Sequence, residues 1–179
     1  MPSLYVTHLA SSIGELTIAS SDQGLAYLGL PRTNGRGFGG WCKRYAADHA
    51  LELNAALNAE RNALATTQVS EFLAGDREVF DLPLDLRGTP FQLGVYRVVA
   101  EIPYGESLAY GDVADQLGRP AAVRAVGAAN GANPIPLVIP CHRVVARSGH
   151  LQGYAGGLEL KRHLLAMESA SHPAQGALL

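Results

Sequence analysis

The run VIPCHRVV begins at Val138 and holds Cys141, one of only two cysteines in 179 residues. Directly behind it stand His142 and Arg143. A structural cysteine needs no such neighbours, whereas a reactive one does. The thiolate is the useful nucleophile, and a free thiol is mostly protonated at neutral pH. Activation therefore calls for a nearby base, a positive charge or a helix N-terminus. His142 is a candidate base and Arg143 a candidate cation. Successive side chains of an extended segment point to opposite faces, so His142 would act through a backbone turn or a bridging water. Taken alone, Cys141 reads equally as a small buried hydrophobe. Cys42 and Cys141 fall in different halves, with no C-x-x-C or His pair at ligand spacing, so no metal site is expected. No Walker loop or G-x-G-x-x-G is present, and no cofactor is expected.

The elements that must position this thiol fall into two groups. LYVTHLA, GELTIASS and GLAYLGL are short and rich in Val, Ile, Leu, Tyr and Thr, with SSIG and SDQG between them as turns. They predict an antiparallel meander, followed by a flexible glycine-rich loop, NGRGFGG. Trp41 to Ala74 reads as helical, capped by Gly75, and EVFDLPLDL reads as a further strand. The prolines and glycine of LPLDLRGTP mark a linker. The domains expected are an N-terminal α/β domain at 1–85, a linker at 86–90, and a mainly helical C-terminal domain at 91–179.

In the second half, Thr89, Pro90 and Gln92 predict a capped helix with Phe91, Val95, Val98 and Val99 on its apolar face. LAYGDVADQLG and RPAAVRAVGAANGANP read as two short helices joined by a tight turn, a helix-turn-helix. IPLVIP reads as an extended apolar stretch ending at Cys141. GLELKRHLLAMES closes the ordered part as an amphipathic helix with Leu158, Leu160, Leu164 and Leu165 inward, and SHPAQGALL reads as a loose tail.

Hydrophobic residues make up 47% and charged residues 17%, an ordinary globular composition. Residues 1–90 carry seven Lys/Arg and ten Asp/Glu, and residues 91–179 carry seven and six. No acidic residue stands between Asp115 and Glu159, a window that holds Arg119, Arg124, Arg143 and Arg147. Such a surface suits phosphate contacts even on a mildly acidic protein, although a window made of core and loops would also need few charges. No apolar run is long enough for a membrane span and no signal peptide is visible, so a reducing cytoplasmic location is expected. A monomer is expected, because no strong extra apolar surface is evident.

From Phe91 to Glu168 the chain resembles the catalytic domain of the O6-alkylguanine-DNA alkyltransferases. PCHRV, RAVG, NP, GY-GG and K--LL--E occur in that family's order and spacing. The resemblance implies an α/β two-domain fold: a small antiparallel sheet with helices, then a winged-helix-like domain with a helix-turn-helix. It implies double-stranded DNA carrying O6-alkylguanine as partner, with O4-alkylthymine as a further candidate substrate. Cys141 would take the alkyl group irreversibly, once per molecule, without a cofactor. His142 would take the thiol proton through a water, and Glu168 would orient His142. Tyr110 would donate to the departing base. The second helix would enter the minor groove with Arg124 filling the gap left by the flipped nucleotide, and with Ala121, Ala122, Ala125 and Gly127 close to the groove. Tyr154, Ala155, Gly156 and Gly157 would wall the base pocket. Asn133, Pro140 and Lys161 would support it, although a solvated helix face is the other reading of Lys161.

Four positions depart from commoner family patterns. Tyr96 stands for a tryptophan, Ala109 for a Ser or Thr, and Ala155 for a serine, while Gly131 lacks a side chain. Two rival readings remain at this point. One is a Cys–His acyl hydrolase, which needs an oxyanion hole and no DNA. The other is a DNA-binding sensor that recognises alkylated bases without repairing them.

Overall fold

The computed structural model describes residues 3–31, 37–49 and 54–172. Residues 34–36 of the expected glycine-rich loop and 173–179 of the expected tail lie outside the described residues. The chain divides into two compact units, Met1–Arg87 and Gly88–Leu179.

In the first unit, β1 (Ser3–Ser11), β2 (Gly14–Ser21) and β3 (Gly24–Gly29) form the expected antiparallel meander. The inward set includes Leu4, Val6, Leu16, Ile18, Leu25 and Leu28. Helix α1 (Phe38–His49) sets Trp41 and Tyr45 against Leu4, Val6, Ala19, Ala26 and Tyr27. Helix α2 (Ala63–Ala74) buries Ala65, Gln68, Val69 and Phe72, and Gly75 closes it in the left-handed region at φ 81°. Full burial of side chains such as Val69 and Phe72 contributes about 1.5–3 kcal/mol each.

Two sequence expectations fail here. The helix read from Trp41 to Ala74 is interrupted by β4 (Asn54–Leu57), which pairs parallel to β1 and sets the sheet order β3-β2-β1-β4. Alanine and leucine favour helix, but the open edge of β1 offers its hydrogen bonds to whatever chain passes, and this tertiary pairing overrides propensity. Asn62, fully buried, locks the return into α2: its amide donates to Tyr5 O at 2.8 Å and Thr7 Oγ1 at 3.0 Å, and its oxygen accepts from Ser20 at 2.6 Å. The strand read in EVFDLPLDL reduces to a single bridge between Leu25 and Leu84. Pro83 has no N–H for a ladder. The backbone of Asp81 is instead paired by the Gln68 side chain, which donates at 2.9 Å and accepts at 2.8 Å.

In the second unit, α3 (Pro90–Ala100) starts as expected. Thr89 and Gln92 form a reciprocal capping box, and Val95, Tyr96 and Val99 are buried. Phe91 and Val98 are half-buried. Leu108 and Ala109 are not helical; they form β5 (Leu108–Ala109), which pairs parallel with β6 (Val144–Val145). Helix α4 (Tyr110–Gln116) follows, and its Asp112 side chain accepts from Ala109 N–H at 3.2 Å. Gly118 turns the chain at φ 68°, and α5 (Val123–Gly131) completes the helix-turn-helix. Ala121 and Ala122 lie in the turn rather than on the second helix.

IPLVIP is not extended. Ile139 N–H donates to Ile135 O at 3.0 Å, and Leu137 takes φ 72° while buried. Asn133 clamps this turn from outside, accepting from Ile135 N–H at 3.0 Å and donating to Ile139 O at 2.8 Å. The side chain satisfies both ends, so a non-glycine residue is held in a region that leucine rarely adopts. Helix α6 (Leu158–Ser171) buries Lys161, Leu164 and Glu168, while Leu158 is exposed. Its inward stripe follows helical spacing but is two-thirds charged, so a search for leucines misplaces the face.

Candidate active site

Cys141 opens a single 3₁₀ turn, Cys141–Arg143, directly after the Asn133-clamped loop. Pro140 O accepts from Arg143 N–H at 2.9 Å and closes the turn. The turn resolves the facing problem of an extended segment, because Cys141 and His142 now follow a curved path. All three residues are buried.

His142 Nε2 lies 2.7 Å from Glu168 Oε1. Arg143 grips the same carboxylate with two parallel bonds, Nε to Oε2 at 2.9 Å and Nη2 to Oε1 at 3.0 Å. Its third arm, Nη1, donates to Ile102 O at 2.7 Å, and Gly105 N–H donates to Glu168 Oε2 at 3.2 Å. Burial pushes the Glu168 carboxyl up, but bonds and charge from His142 and Arg143 outweigh it and bring it down to about 2. Burial pulls His142 below its ordinary value, against the opposing bond and charge of Glu168, so the imidazole rests neutral. Arg143 is therefore a partner of Glu168, and neither an activating cation beside the thiol nor a surface phosphate contact.

Burial pushes the Cys141 thiol up to about 11, against the opposing pull of the Asn133 side chain, the Lys161 ammonium and nearby N–H groups. The resting group is a thiol. Lys161 is fully buried rather than solvated. Its Nζ donates to Val144 O at 2.7 Å, Gln152 O at 3.1 Å and Tyr110 Oη at 3.4 Å. Tyr110 in turn donates to Gln152 O at 3.2 Å. Burial and then the charge of Cys141 raise Tyr110, and the Asn130 side chain opposes them. Tyr154 is buried, and its ionisation is raised by burial first and then by Cys141 and Glu168. Burial and then Cys141 likewise raise Tyr96, the residue standing for tryptophan. Ala155 is half-buried and Gly156 buried, and Gly157 leads into α6 at φ 92°.

Cys141, His142, Glu168, Tyr110, Tyr154, Lys161, Asn133 and Pro140 thus share one neighbourhood. Arg124 does not: it is exposed near the start of α5, with Ala121 and Ala125 exposed and Ala122 and Gly127 half-buried beside it. Of the other arginines in the acid-free window, Arg147 pairs with Asp112 at 3.0 Å and Asp115 at 3.6 Å, and Arg119 lies over the Phe91 ring. Sequence reasoning missed Asn130, whose amide donates to Cys141 O at 3.2 Å from the buried face of α5. The available signal was its spacing, four residues after buried Val126. Among the described residues no group of three or more His, Cys, Asp or Glu is gathered for a metal, and no helix is long and apolar enough to cross a membrane.

A family model for the 6-O-methylguanine DNA methyltransferase DNA-binding domain matches residues 90–170. The chain is 44% identical over 165 residues to the methylated-DNA–protein-cysteine methyltransferase of Mycolicibacterium paratuberculosis, covering 92% of each. It is 38% identical over 168 residues to the inducible methylated-DNA–protein-cysteine methyltransferase of Bacillus subtilis, covering 93% of this chain and 91% of the relative. A crystal structure of Mycobacterium tuberculosis OGT in complex with DNA superposes with a TM-score of 0.78 at 38% identity, covering 94% of this chain and 93% of that one.

Proposed function

Because the chain belongs to the methylated-DNA–protein-cysteine methyltransferase family, whose work is DNA repair by alkyl transfer, we propose that Cys141 is its alkyl acceptor. The substrate is O6-alkylguanine in double-stranded DNA. The observation that carries this reading is the buried pair His142–Glu168 at 2.7 Å, with the thiol on the same turn as the histidine.

With Nε2 committed to Glu168, Nδ1 is the nitrogen that receives the Cys141 proton, directly or through a water. The imidazolium so formed sits beside a full carboxylate charge, which offsets the burial that otherwise opposes it. The sulfur attacks the alkyl carbon, the carbon–O6 bond breaks, and its electron pair stays on the base. Tyr110 supplies a proton to the leaving purine, and Lys161 stands 3.4 Å from the phenolic oxygen to support the phenolate. The product is a thioether with no hydrolytic exit, so each molecule acts once.

The target base must leave the stack to meet a thiol this deeply buried. Arg124 enters the minor groove and fills the gap, and the small side chains of Ala121, Ala122 and Ala125 and the bare Gly127 permit close approach. Tyr154, Ala155, Gly156 and Gly157 wall the pocket. Asn133 and Pro140 hold the cysteine turn.

The test is a duplex carrying one O6-methylguanine, followed by peptide mass mapping. One methyl on Cys141, stoichiometric and permanent, is expected. Absence of transfer, or transfer to Cys42, overturns the assignment, and a duplex carrying O4-methylthymine tests the further substrate. Arg124→Ala should slow repair of duplex by about tenfold or more while sparing reaction with free O6-benzylguanine. Equal loss on both substrates removes Arg124 from the flipping step.

A further inference from the structure

Asn130 lies on the core face of α5 beside buried Val126 and Ala129, and only 5% of it is exposed. Its orientation is fixed by chemistry. The Cys141 carbonyl at 3.2 Å can only accept, so the amino end of the Asn130 amide must face it. The amide oxygen, Oδ1, is then buried with no hydrogen-bond donor among the described residues. Bracing the cysteine turn uses the amino end alone and leaves this oxygen unexplained. A buried acceptor without a donor is destabilising, so it calls for a reason other than stability.

On the alkyl-transfer reading, the alkyl carbon meets the Cys141 sulfur, so the base turns O6 and the edge beside it towards the cysteine turn. Alkylation at O6 takes the proton from N1. The edge of the lesion then holds one donor group, the 2-amino group, and once buried it needs an acceptor. Carbonyls of the turn are already engaged. Pro140 O accepts from Arg143 N–H at 2.9 Å. Cys141 O accepts from Asn130 Nδ2 and from the Val144 N–H, which occupies both of its lone pairs. Val144 O accepts from the Lys161 ammonium at 2.7 Å. Asn130 Oδ1 is open, and it belongs to the same planar amide that touches the nucleophile's carbonyl.

We propose that Asn130 is a specificity-determining residue whose Oδ1 accepts the 2-amino group of the flipped O6-alkylguanine. The inference rests on the alkyl-transfer reading above and adds to it how the site tells one alkylated base from another. O4-alkylthymine carries a carbonyl, O2, where guanine carries the amine. Two acceptors then face each other and neither is satisfied, so the site favours the alkylated purine.

The test uses the full-length protein and three duplexes that differ at one nucleotide. They carry O6-methylguanine, O6-methylhypoxanthine, which lacks only the 2-amino group, or O4-methylthymine. Methyl transfer to Cys141 is measured in single turnover at saturating protein. The deciding quantity is the change in rate ratio on Asn130→Leu, because the ease of flipping each base divides out. The preference for O6-methylguanine over O6-methylhypoxanthine should fall by about fivefold or more, and the preference over O4-methylthymine should fall with it. Asn130→Ala reads the same ratios if the leucine variant does not fold. Equal slowing on the guanine and hypoxanthine duplexes assigns Asn130 to bracing the turn alone and overturns the proposal, as do rates unchanged on both. Wild-type protein that leaves the O6-methylguanine duplex unreacted instead defeats the underlying reading.

Discussion

Among the described residues each unit of the molecule buries one carboxylate, and the two are satisfied in similar ways to different ends. In the first unit Asp85 accepts from Ser21 at 2.7 Å, Tyr45 at 2.8 Å and Arg87 at 2.8 and 3.1 Å. In the second, Glu168 accepts from an arginine fork, a backbone N–H and His142. Burial raises Asp85, and its hydrogen bonds from Arg87, Ser21 and Tyr45 bring it below the ordinary value, the same balance that governs Glu168. What differs is the company. The partners of Asp85 are a serine of β2, a tyrosine of α1 and Arg87, so that hub pins segments 64 and 40 residues apart in sequence to its own stretch of chain. Glu168 includes among its partners a histidine on the same turn as a thiol, which on the proposed function makes the same electrostatics part of a proton path. Function here comes from what shares the carboxylate.

The sharpest way to break this contrast is to neutralise each carboxylate. Glu168→Gln leaves Arg143 buried with its main partner gone, a loss of about 3–5 kcal/mol. It should also slow alkyl transfer by at least about a hundredfold in the molecules that remain folded. Asp85→Asn, whose Arg87 is a quarter exposed, should lose about 1–3 kcal/mol after screening. Its transfer rate at a temperature where it is folded should stay within about twofold. Denaturant unfolding and single-turnover rates check both, and an Asp85→Asn protein that folds yet transfers slowly would erase the distinction.

Next in size is the pH dependence. Glu168 is held at about 2 in the folded state, below its ordinary 4.5. Its contribution is present above the unfolded value and is lost as pH falls from about 4.5 towards about 2. Cys141 is displaced the other way, from 9.0 to about 11, so its contribution is present below the unfolded value and lost as pH rises through that window. Cys141→Ser should reduce the alkaline loss, to which the raised tyrosines Tyr96, Tyr110 and Tyr154 also contribute, and leave the acid one, as read from melting temperatures across pH. Loss of both limbs together in this variant would mean that the two groups titrate as one unit. The smallest effect belongs to Arg147, whose pairs with Asp112 and Asp115 are exposed. Arg147→Ala should change stability by less than about 1 kcal/mol.

The candidate site was legible because chemistry restricts residue types and order: Cys141, His142 and Glu168 stand in a motif, and the fold brings them together. The capping box at Thr89 and Gln92 was legible because it is local. What failed was non-local. β4 is written in helix-forming residues and exists because β1 has an open edge. Arg143 looked like a surface cation because nothing near it in sequence announces Glu168. Lys161 was ambiguous since a lysine on a helix usually faces water, and only three acceptors converging from β6, the following loop and α4 turn it inward. Leu158 was placed inside by hydrophobicity alone, whereas the inward stripe of α6 was set by the site it serves.

Glu168 also has a temporal meaning. It meets His142 across 26 residues and the Gly105 N–H across 63, so three separated segments close on one carboxylate. A chain growing from its N-terminus carries Cys141 and His142 well before α6 exists. Until that helix docks, the imidazole has no carboxylate to orient it and the arginine no acid to hold. On the proposed function, the chain from Cys141 through His142 to Glu168 is therefore complete only once α6 has packed.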